Sequence, residues 1–497
     1  MQKYDVVIAG SGLGGLITGL ILSKEGYKVC VLEQHHQIGG CLQTFVREGC
    51  IFDTGMHYFG SYGEGQILNR YFKYLGIREK LKVTRLGEDA FDIISFKGKD
   101  YKYASGFERF IDTLSGYFPA ERQGILKYTD KLKEVCNNMN LYTLREFENY
   151  ELIESNYITQ NAWAFIRSCT DNDDLCHLLA GLNGLYAGIP GKTPLYLHAL
   201  INHFLIDGAW RFVDGSGQLA RVLADGIRSN GGDVLTRSKV TRFGFENEEL
   251  TYVVLANGER VSGKYFVSNI HPATTLTMCD TPKIRKAYRN RITTIENTIS
   301  SFSLYCVLKE GSLPYMNYNY YYCDADSIWL AGRHRPGATP EGYLLFTPAT
   351  SKSDRWADSM TVICYMSYDE VKQWEHTTVE KRGPGYVAFK QRKAEELLDI
   401  VEKRFPDIRS HIKSRYTSTP LTYRDYTGTI RGSLYGVMKD CNDPVKSYIS
   451  VRTKVPNLFL TGQNISLHGI LGVTIGAVQT SAELCGINYL IKKISEA

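Results

Sequence analysis

A chain of 497 residues is too long for one simple core, so two intimately joined domains are expected. Its 43% hydrophobic and 22% charged residues match an ordinary soluble globular protein. The formal net charge of only +5, with no patch or stripe of Lys and Arg, excludes a dedicated nucleic-acid binder and stays compatible with loose contact to anionic lipid.

The first forty residues organise the rest. Val6 to Ala9 reads as a buried parallel strand, and Leu16 to Lys24 continues with helical spacing. Between them, Gly10, Gly12 and Gly15 fit G-x-G-x-x-G, with Ser11 and Gly14 inside the same turn. The first glycine permits the tight turn, the second lets backbone approach a pyrophosphate, and the third lets helix pack on strand. The helix N-terminus then presents free N–H groups to phosphates. A second strand, Lys28 to Leu32, ends at Glu33, where a carboxylate is expected to accept from a ribose and to repel a 2′-phosphate. Val6 to Leu22 is nearly uncharged and could pass for a signal peptide or membrane span, but its glycines, the strand break and Glu33 argue against both. Gly39-Gly40 follows closely. A plain turn would explain the pair; a second glycine pair after the ribose acid also resembles the start of flavoprotein disulfide-reductase and amine-oxidase folds, and not an ordinary NAD unit. The cofactor set expected here is Gly10, Ser11, Gly12, Gly14, Gly15, Glu33, Gln34, Gly39, Gly40, Gln43 and Thr44.

Phe52-Asp-Thr-Gly-Met-His-Tyr resembles the segment F-D-x-G-x-H of the retinol saturase and carotenoid isomerase branch of the phytoene desaturase family. That resemblance implies a strand passing the flavin ring, with His57 and Tyr58 near the chemistry; a core histidine is the alternative. Phe107 to Leu114 and Ile125 to Met139 carry apolar stripes at helical spacing, which points to core packing. The resemblance adds a membrane-touching cap over a substrate tunnel in this region. Leu175 to His203 is helical and apolar, interrupted at Gly188-Ile-Pro-Gly. The block from Phe212 to Gly231 resembles the family's return to the FAD domain, with Ser216 splitting a glycine pair, and Val240 falls where relatives meet adenine. A hairpin around Asn257-Gly258 follows. Val267-Ser-Asn-Ile-His-Pro then resembles the family's crossing strand.

From there to about Pro420, alternation such as Ser303-Leu-Tyr-Cys-Val-Leu predicts an antiparallel sheet with one face buried. Tyr315 to Tyr322 is crowded with tyrosine, in a chain that has 34. Aromatic walls suit a conjugated ligand, although strands favour such residues for structural reasons too. Lys393 to Phe405 reads as a helix ended by Pro406. Gly432-Ser-Leu-Tyr-Gly makes Tyr435 a candidate to reach the flavin or the substrate. Finally, strand Leu458 to Thr461 delivers Gly462-Gln463, and a glycine-rich loop with His468 starts a helix near Val473, whose N–H groups at Gly472 and Val473 would stabilise negative charge on a reduced flavin. Where many relatives carry an acid, Gln463 can hydrogen-bond a phosphate or ribityl oxygen without like-charge repulsion.

The resemblance spans nearly the whole chain. It implies an α/β fold: a non-contiguous FAD-binding Rossmann-like domain of glutathione-reductase/amine-oxidase type, interleaved with an α+β substrate domain carrying an antiparallel sheet and a helical insertion. The expected divisions are 1–90, 211–275 and 431–497 for the FAD domain, 91–210 for the helical cap and 276–430 for the substrate domain. The implied function is FAD-dependent saturation, desaturation or isomerisation of an apolar polyene or isoprenoid, with NAD(P)H or a quinone as electron partner. An amine oxidase acting on a C–N bond and a non-catalytic prenyl-lipid binder of the same fold are the alternatives. His57, Tyr435 and His468 are the catalytic candidates, on proximity alone. Twelve cysteines show no C-x-x-C and no metal spacing, so they are expected as reduced packing thiols with no metal. A cytoplasmic location with peripheral membrane contact is expected, with no nucleic acid as partner and the oligomeric state open.

Overall fold

A helix that is apolar on all sides can be satisfied only inside a protein. The computed structural model, which describes residues 3–148 and 155–497, buries helix Leu13–Lys24 at every position from Gly14 to Ser23. Strand Lys3–Ala9 leads into it and lies parallel to Val29–Leu32 on one side and to Arg260–Ser268 on the other. Beyond Val29–Leu32 the sheet adds Asp233–Leu235; beyond Arg260–Ser268 it adds Glu249–Leu255, joined to it antiparallel through the expected turn at Asn257-Gly258, and then Val240–Glu246. Leu458–Leu460 completes the seven strands in parallel with Arg260–Ser268. Helices Gly217–Ser229 and Gly469–Cys485 pack on Leu13–Lys24. Small residues permit the approach: a Cβ on Gly226 would lie 2.8 Å from a Leu20 methyl, and the hydroxyls of Thr18 and Thr461 meet at 3.3 Å. One Rossmann-like α/β layer is thus assembled from three remote parts of the chain.

A second seven-stranded sheet runs in the order Ile412–Ser418, Ser300–Leu308, Ser359–Met366, Gly342–Phe346, Asn319–Cys323, Asp92–Phe96, Lys99–Tyr103. It is mixed, because Asp92–Phe96 runs parallel to Asn319–Cys323. The stretch expected to open a helical region therefore begins with two strands. The expectation of one buried face is also corrected: Ser300–Leu308 is buried at all nine positions. Phe302, Leu304 and Cys306 pack against Leu397, Leu398 and Val401 of helix Pro384–Glu402. Tyr305 and Val307 meet Cys50 and Phe52 of the hairpin Thr44–Arg47/Cys50–Asp53 on the other side.

Helices Phe107–Tyr117 and Arg122–Asn137 turn Phe110, Ile111, Leu114, Ile125, Tyr128, Leu132 and Val135 into the core, and Met139 follows them. That stripe is packing, and no part of it is free to face a bilayer. Among the described residues no helix is long and apolar enough to cross a membrane, the twelve cysteines are free thiols, and no group of His, Cys, Asp or Glu is placed to hold a metal.

Arg211 ties a small three-stranded sheet to the second sheet. It lies in Ala209–Phe212, which pairs with Phe59–Gly60 and Val83–Arg85, and is 2% exposed. Its guanidinium donates to Asn319 Oδ1 (2.7 Å), the Tyr315 hydroxyl (3.2 Å), the Met316 carbonyl (3.3 Å) and the Thr347 carbonyl. Among the described residues no carboxylate touches it, so the buried cation is held by these dipoles and by the Tyr315 and Phe346 rings. Arg211→Met, of similar length, strands those acceptors and should lower stability by about 3 kcal/mol, read as a drop in the urea midpoint at unchanged slope.

Candidate active site

The glycine turn is set by backbone proximity. Gly10 has φ +98, and a Cβ on Gly15 would run into the Gly10 carbonyl oxygen. A Cβ on Gly12 would lie 2.7 Å from Asn269 Nδ2, and one on Gly14 would lie 2.7 Å from Asn269 Oδ1 and 2.8 Å from Gly462 Cα. Asn269 is anchored by its own N–H to the Ala9 carbonyl (2.9 Å), and its amide donates to the Gly10 carbonyl (3.4 Å). The two ends of the chain therefore touch at this point. Glu33 is buried, with one carboxylate oxygen accepting from Ser11 N–H (2.9 Å) and Oγ (2.5 Å) and the other from His35 N–H (2.8 Å). Gly39 donates to the Ser11 carbonyl (3.0 Å), which seats the second glycine pair on the first turn.

From this cradle a cavity of about 600 Å³ extends between the two sheets, within the range of cofactor and ligand pockets. Gly10, Gly12, Gly14, Glu33, Gln34, Gly39, Gly40, Val240, Gly462, Gln463, Gly472 and Val473 line it, as do His57, Tyr435 and His468. Ser11, Gly15, Gln43 and Thr44 do not. Ser11 is fully buried beneath Glu33, Gln43 donates to the Gln37 carbonyl (2.7 Å), and the Thr44 carbonyl accepts from Gln37 Nε2 (3.0 Å). Helix Gly469–Cys485 starts four residues before Val473. The N–H groups of its first turn therefore run from Gly469 to Gly472, with Gly469 itself at φ +74, and Val473 lies one turn in. Asn269, Lys239, Tyr321 and Tyr365 also line the cavity and were not singled out in the sequence. The signal for Asn269 was its place at the end of the strand beside the first; for Tyr321 it was strand alternation.

The residues fit a dinucleotide. Glycine at 10, 12, 14 and 462 lets the two chain ends close around Asn269 at the cavity wall, Glu33 lies at the end of the second strand where a ribose acid is expected, and two helices begin at the cavity. Glu33 and Lys239 are the only carboxylate and ammonium groups among the described lining residues.

The remaining polar groups are uncharged at neutral pH. His57 stacks on Phe346 (ring centroids 4.8 Å, 21°), its Nε2 has no hydrogen-bond partner among the described residues, and burial, helped by the Arg211 charge, pushes its pKa down to about 3. Burial likewise lowers His468 to about 4, while its Nε2 pairs with the Leu185 carbonyl (2.9 Å). Tyr435 and Tyr365 both donate to the Gly184 carbonyl (2.9 and 3.1 Å), and burial raises both phenols. Deeper in, the Tyr321 and Tyr58 hydroxyls meet at 2.9 Å and Tyr58 meets Asp92 Oδ2 at 2.9 Å; burial lifts the Asp92 carboxyl to about 8.

A dinucleotide cradle opening into a neutral, aromatic chamber defines a flavoprotein oxidoreductase of amine-oxidase type. The sequence profile of the flavin-containing amine oxidoreductases matches residues 13–485; the chain belongs to that family, and its cofactor is FAD. All-trans-retinol 13,14-reductase of Rattus norvegicus is 28% identical over 97% of this chain and 86% of its own length. Prolycopene isomerase 1 (chloroplastic) of an Oncidium hybrid cultivar is 24% identical over 88% of this chain and 76% of its own. Among solved structures, an oxidoreductase from Methanosarcina mazei superposes with a TM-score of 0.63 at 16% identity, covering 96% of this chain and 99% of that one, which reflects the fold.

Gly14→Ala drives a methyl into the Gly462 backbone and should reduce retained FAD by at least about tenfold, measured as flavin absorbance per protein after desalting. Gly476→Ala, with open space around it in helix Gly469–Cys485, should leave that ratio unchanged. Asp92 gives a second expectation. The folded chain keeps a proton up to about pH 8 that the unfolded chain releases near 4, so this group makes stability fall as pH rises through that window. Asp92→Asn, neutral throughout, should flatten the fall in urea midpoint between those limits.

Proposed function

We propose that the chain is an FAD-dependent oxidoreductase that saturates, desaturates or isomerises carbon–carbon double bonds of an apolar polyene or isoprenoid. The observation that carries this reading is a chamber of aromatic and aliphatic side chains without a free charge beyond the ribose end of the cavity. An amine substrate is a cation at neutral pH and needs a carboxylate to hold it; Asp92 lies behind Tyr58 and is protonated. A conjugated hydrocarbon needs flat aromatic faces and dryness instead. The names of the retinol and prolycopene relatives point to the same substrate class.

In this reading Gly10, Gly12, Gly14, Gly39, Gly40, Gly462 and Gln463 hold the pyrophosphate and ribityl chain, Glu33 the ribose and Val240 the adenine. The first turn of helix Gly469–Cys485 faces the ring end with its free N–H groups. The bound flavin supplies hydride exchange with the carbon chain. His57 and Phe346 form a flat neutral wall beside it. Tyr435, Tyr365 and His468 act as positioning residues, because their hydrogen bonds all clamp the carbonyls of segment Gly181–Tyr186. NAD(P)H or a quinone is the electron partner. Peripheral contact with a membrane would fall on Val445 and Tyr448, 77% and 59% exposed beside Lys446 and Arg291.

The test is anaerobic: the flavin is photoreduced and mixed with all-trans-retinol, prolycopene and related polyenes while flavin absorbance and product mass are followed. Reoxidation with a polyene product two hydrogens heavier, or an isomer formed at unchanged mass, is expected. Peroxide release with amines and no reaction with any polyene would transfer the assignment to C–N oxidation.

A further inference from the structure

Exchange of a hydride with a carbon–carbon double bond leaves one proton to be added or removed at the neighbouring carbon. Neither His57 nor His468 can give it at neutral pH, since both are unprotonated there. We propose that Tyr321, Tyr58 and Asp92 form a proton relay, in which Tyr321 is the catalytic residue that touches the substrate carbon and Asp92 is the buried store behind it. This rests on the polyene reading above.

The register of the second sheet builds the relay. Asn319 pairs with Asp92 across the parallel strands, and Tyr321, two residues on, shares the face of Asn319. Tyr321 is half-buried and lines the chamber, whereas Asp92 is fully buried. Between them stands Tyr58, at 2.9 Å from each. Asn319 occupies the other carboxyl oxygen of Asp92 (2.7 Å) and hands its own oxygen to Arg211 (2.7 Å), so an amide separates the carboxyl from the nearest cation. The remaining group facing Asp92 is the Tyr103 phenol on the adjacent strand. With only Arg211 charged and held at one remove, burial prevails and the carboxyl stays protonated at neutral pH.

Counting protons gives the function. With Asp92 protonated, its O–H donates to Tyr58, Tyr58 donates to Tyr321, and the Tyr321 O–H is left pointing a proton at the chamber. With Asp92 ionised, both phenols turn round to donate toward it, and Tyr321 offers a lone pair. One proton on a remote carboxyl thus switches the chamber wall between acid and base. In saturation, the π bond breaks; one carbon receives hydride, carrying both electrons, from reduced flavin. The other carbon takes the Tyr321 proton, Tyr58 reprotonates Tyr321, and Asp92 reprotonates Tyr58 and becomes a carboxylate. The carbon–carbon bond is reduced by two electrons and the flavin oxidised by two. Desaturation runs the same moves backwards.

Infrared spectroscopy of the holoenzyme tests the store without any substrate. A carboxylic-acid C=O band should be present near neutral pH, fade as pH passes about 8 and be absent in Asp92→Asn; its absence from the wild-type protein overturns the relay. Single-turnover reoxidation of reduced enzyme by polyene tests delivery. Tyr321→Phe and Asp92→Asn should slow it by at least about 100-fold at unchanged FAD content and polyene Kd, and abolish the wild-type solvent deuterium isotope effect. Weaker polyene binding at an unchanged rate would make both residues structural and overturn the proposal. A wild-type band without reaction toward any polyene sinks the polyene reading and the delivery step with it, and leaves Asp92 as a protonated buried acid only.

Discussion

One asparagine side chain fixes the geometry on which the molecule depends. Asn269 stands where the amino-terminal turn, the end of strand Arg260–Ser268 and the carboxy-terminal loop converge, and a Cβ on Gly12, Gly14 or Gly462 would collide with its amide. Glycine at those positions is thus a packing requirement before it is a binding one. The consequence is electrostatic. Helices Leu13–Lys24 and Gly469–Cys485 pack on one another and both begin at the cavity, so the N–H groups of two helix starts are available along one cavity. An anionic cofactor held between the two chain ends is favoured there.

The second constraint is dryness. Beyond the ribose end, the chamber is walled mainly by aromatic and aliphatic side chains, and the sheet it lies against carries a strand, Ser300–Leu308, covered on both faces. Such a medium disfavours charge on any group that lacks a partner. That single cause neutralises His57 and His468 from above, by lowering them, and Asp92 from below, by raising it. Arg211 is the exception, and it keeps its charge by collecting carbonyl, amide and hydroxyl acceptors from the strands around it.

This division explains how far the sequence could be read. Glycine spacing, the acid at Glu33 and the return of Gly462 are short-range patterns with one geometric meaning, and together they located the cofactor cradle and the non-contiguous domain. The helical stripes of Phe110 to Met139 were equally legible as core. Alternation misled within Ser300–Leu308, where one buried face was expected and every position is buried. Ser303 pairs with the Tyr423 hydroxyl (3.0 Å) and Ser300 donates to the Gly432 carbonyl (2.6 Å), so two of its polar positions are satisfied inside. The start of helix Gly469–Cys485 was placed late because glycine at 469 and 472 resembles loop; at 472 the missing side chain instead makes room for Leu467. Asn269 carried only its place at the end of a strand, and Asp92 no local signal. Their partners lie 259 and 227 residues away, and only the folded sheets bring them together.

Substrate selection and proton chemistry then follow from one property of the site. A hydrocarbon gains by entering a dry chamber, while a cationic amine would lose its hydration and find no carboxylate in exchange. Were Asp92 ionised and exposed, the chamber would favour the amine and could no longer hold a proton in reserve. Keeping that carboxyl behind two phenols reconciles both demands: the wall stays neutral toward the substrate, yet a proton remains two hydrogen bonds from its surface. Tyr320 and Tyr321 of Asn319–Cys323 accordingly serve opposite faces of the sheet. Tyr321 serves the chamber, whereas Tyr320 packs against Phe405 and receives the Arg404 guanidinium on the far side of the sheet, which is why the cluster is both structural and chemical.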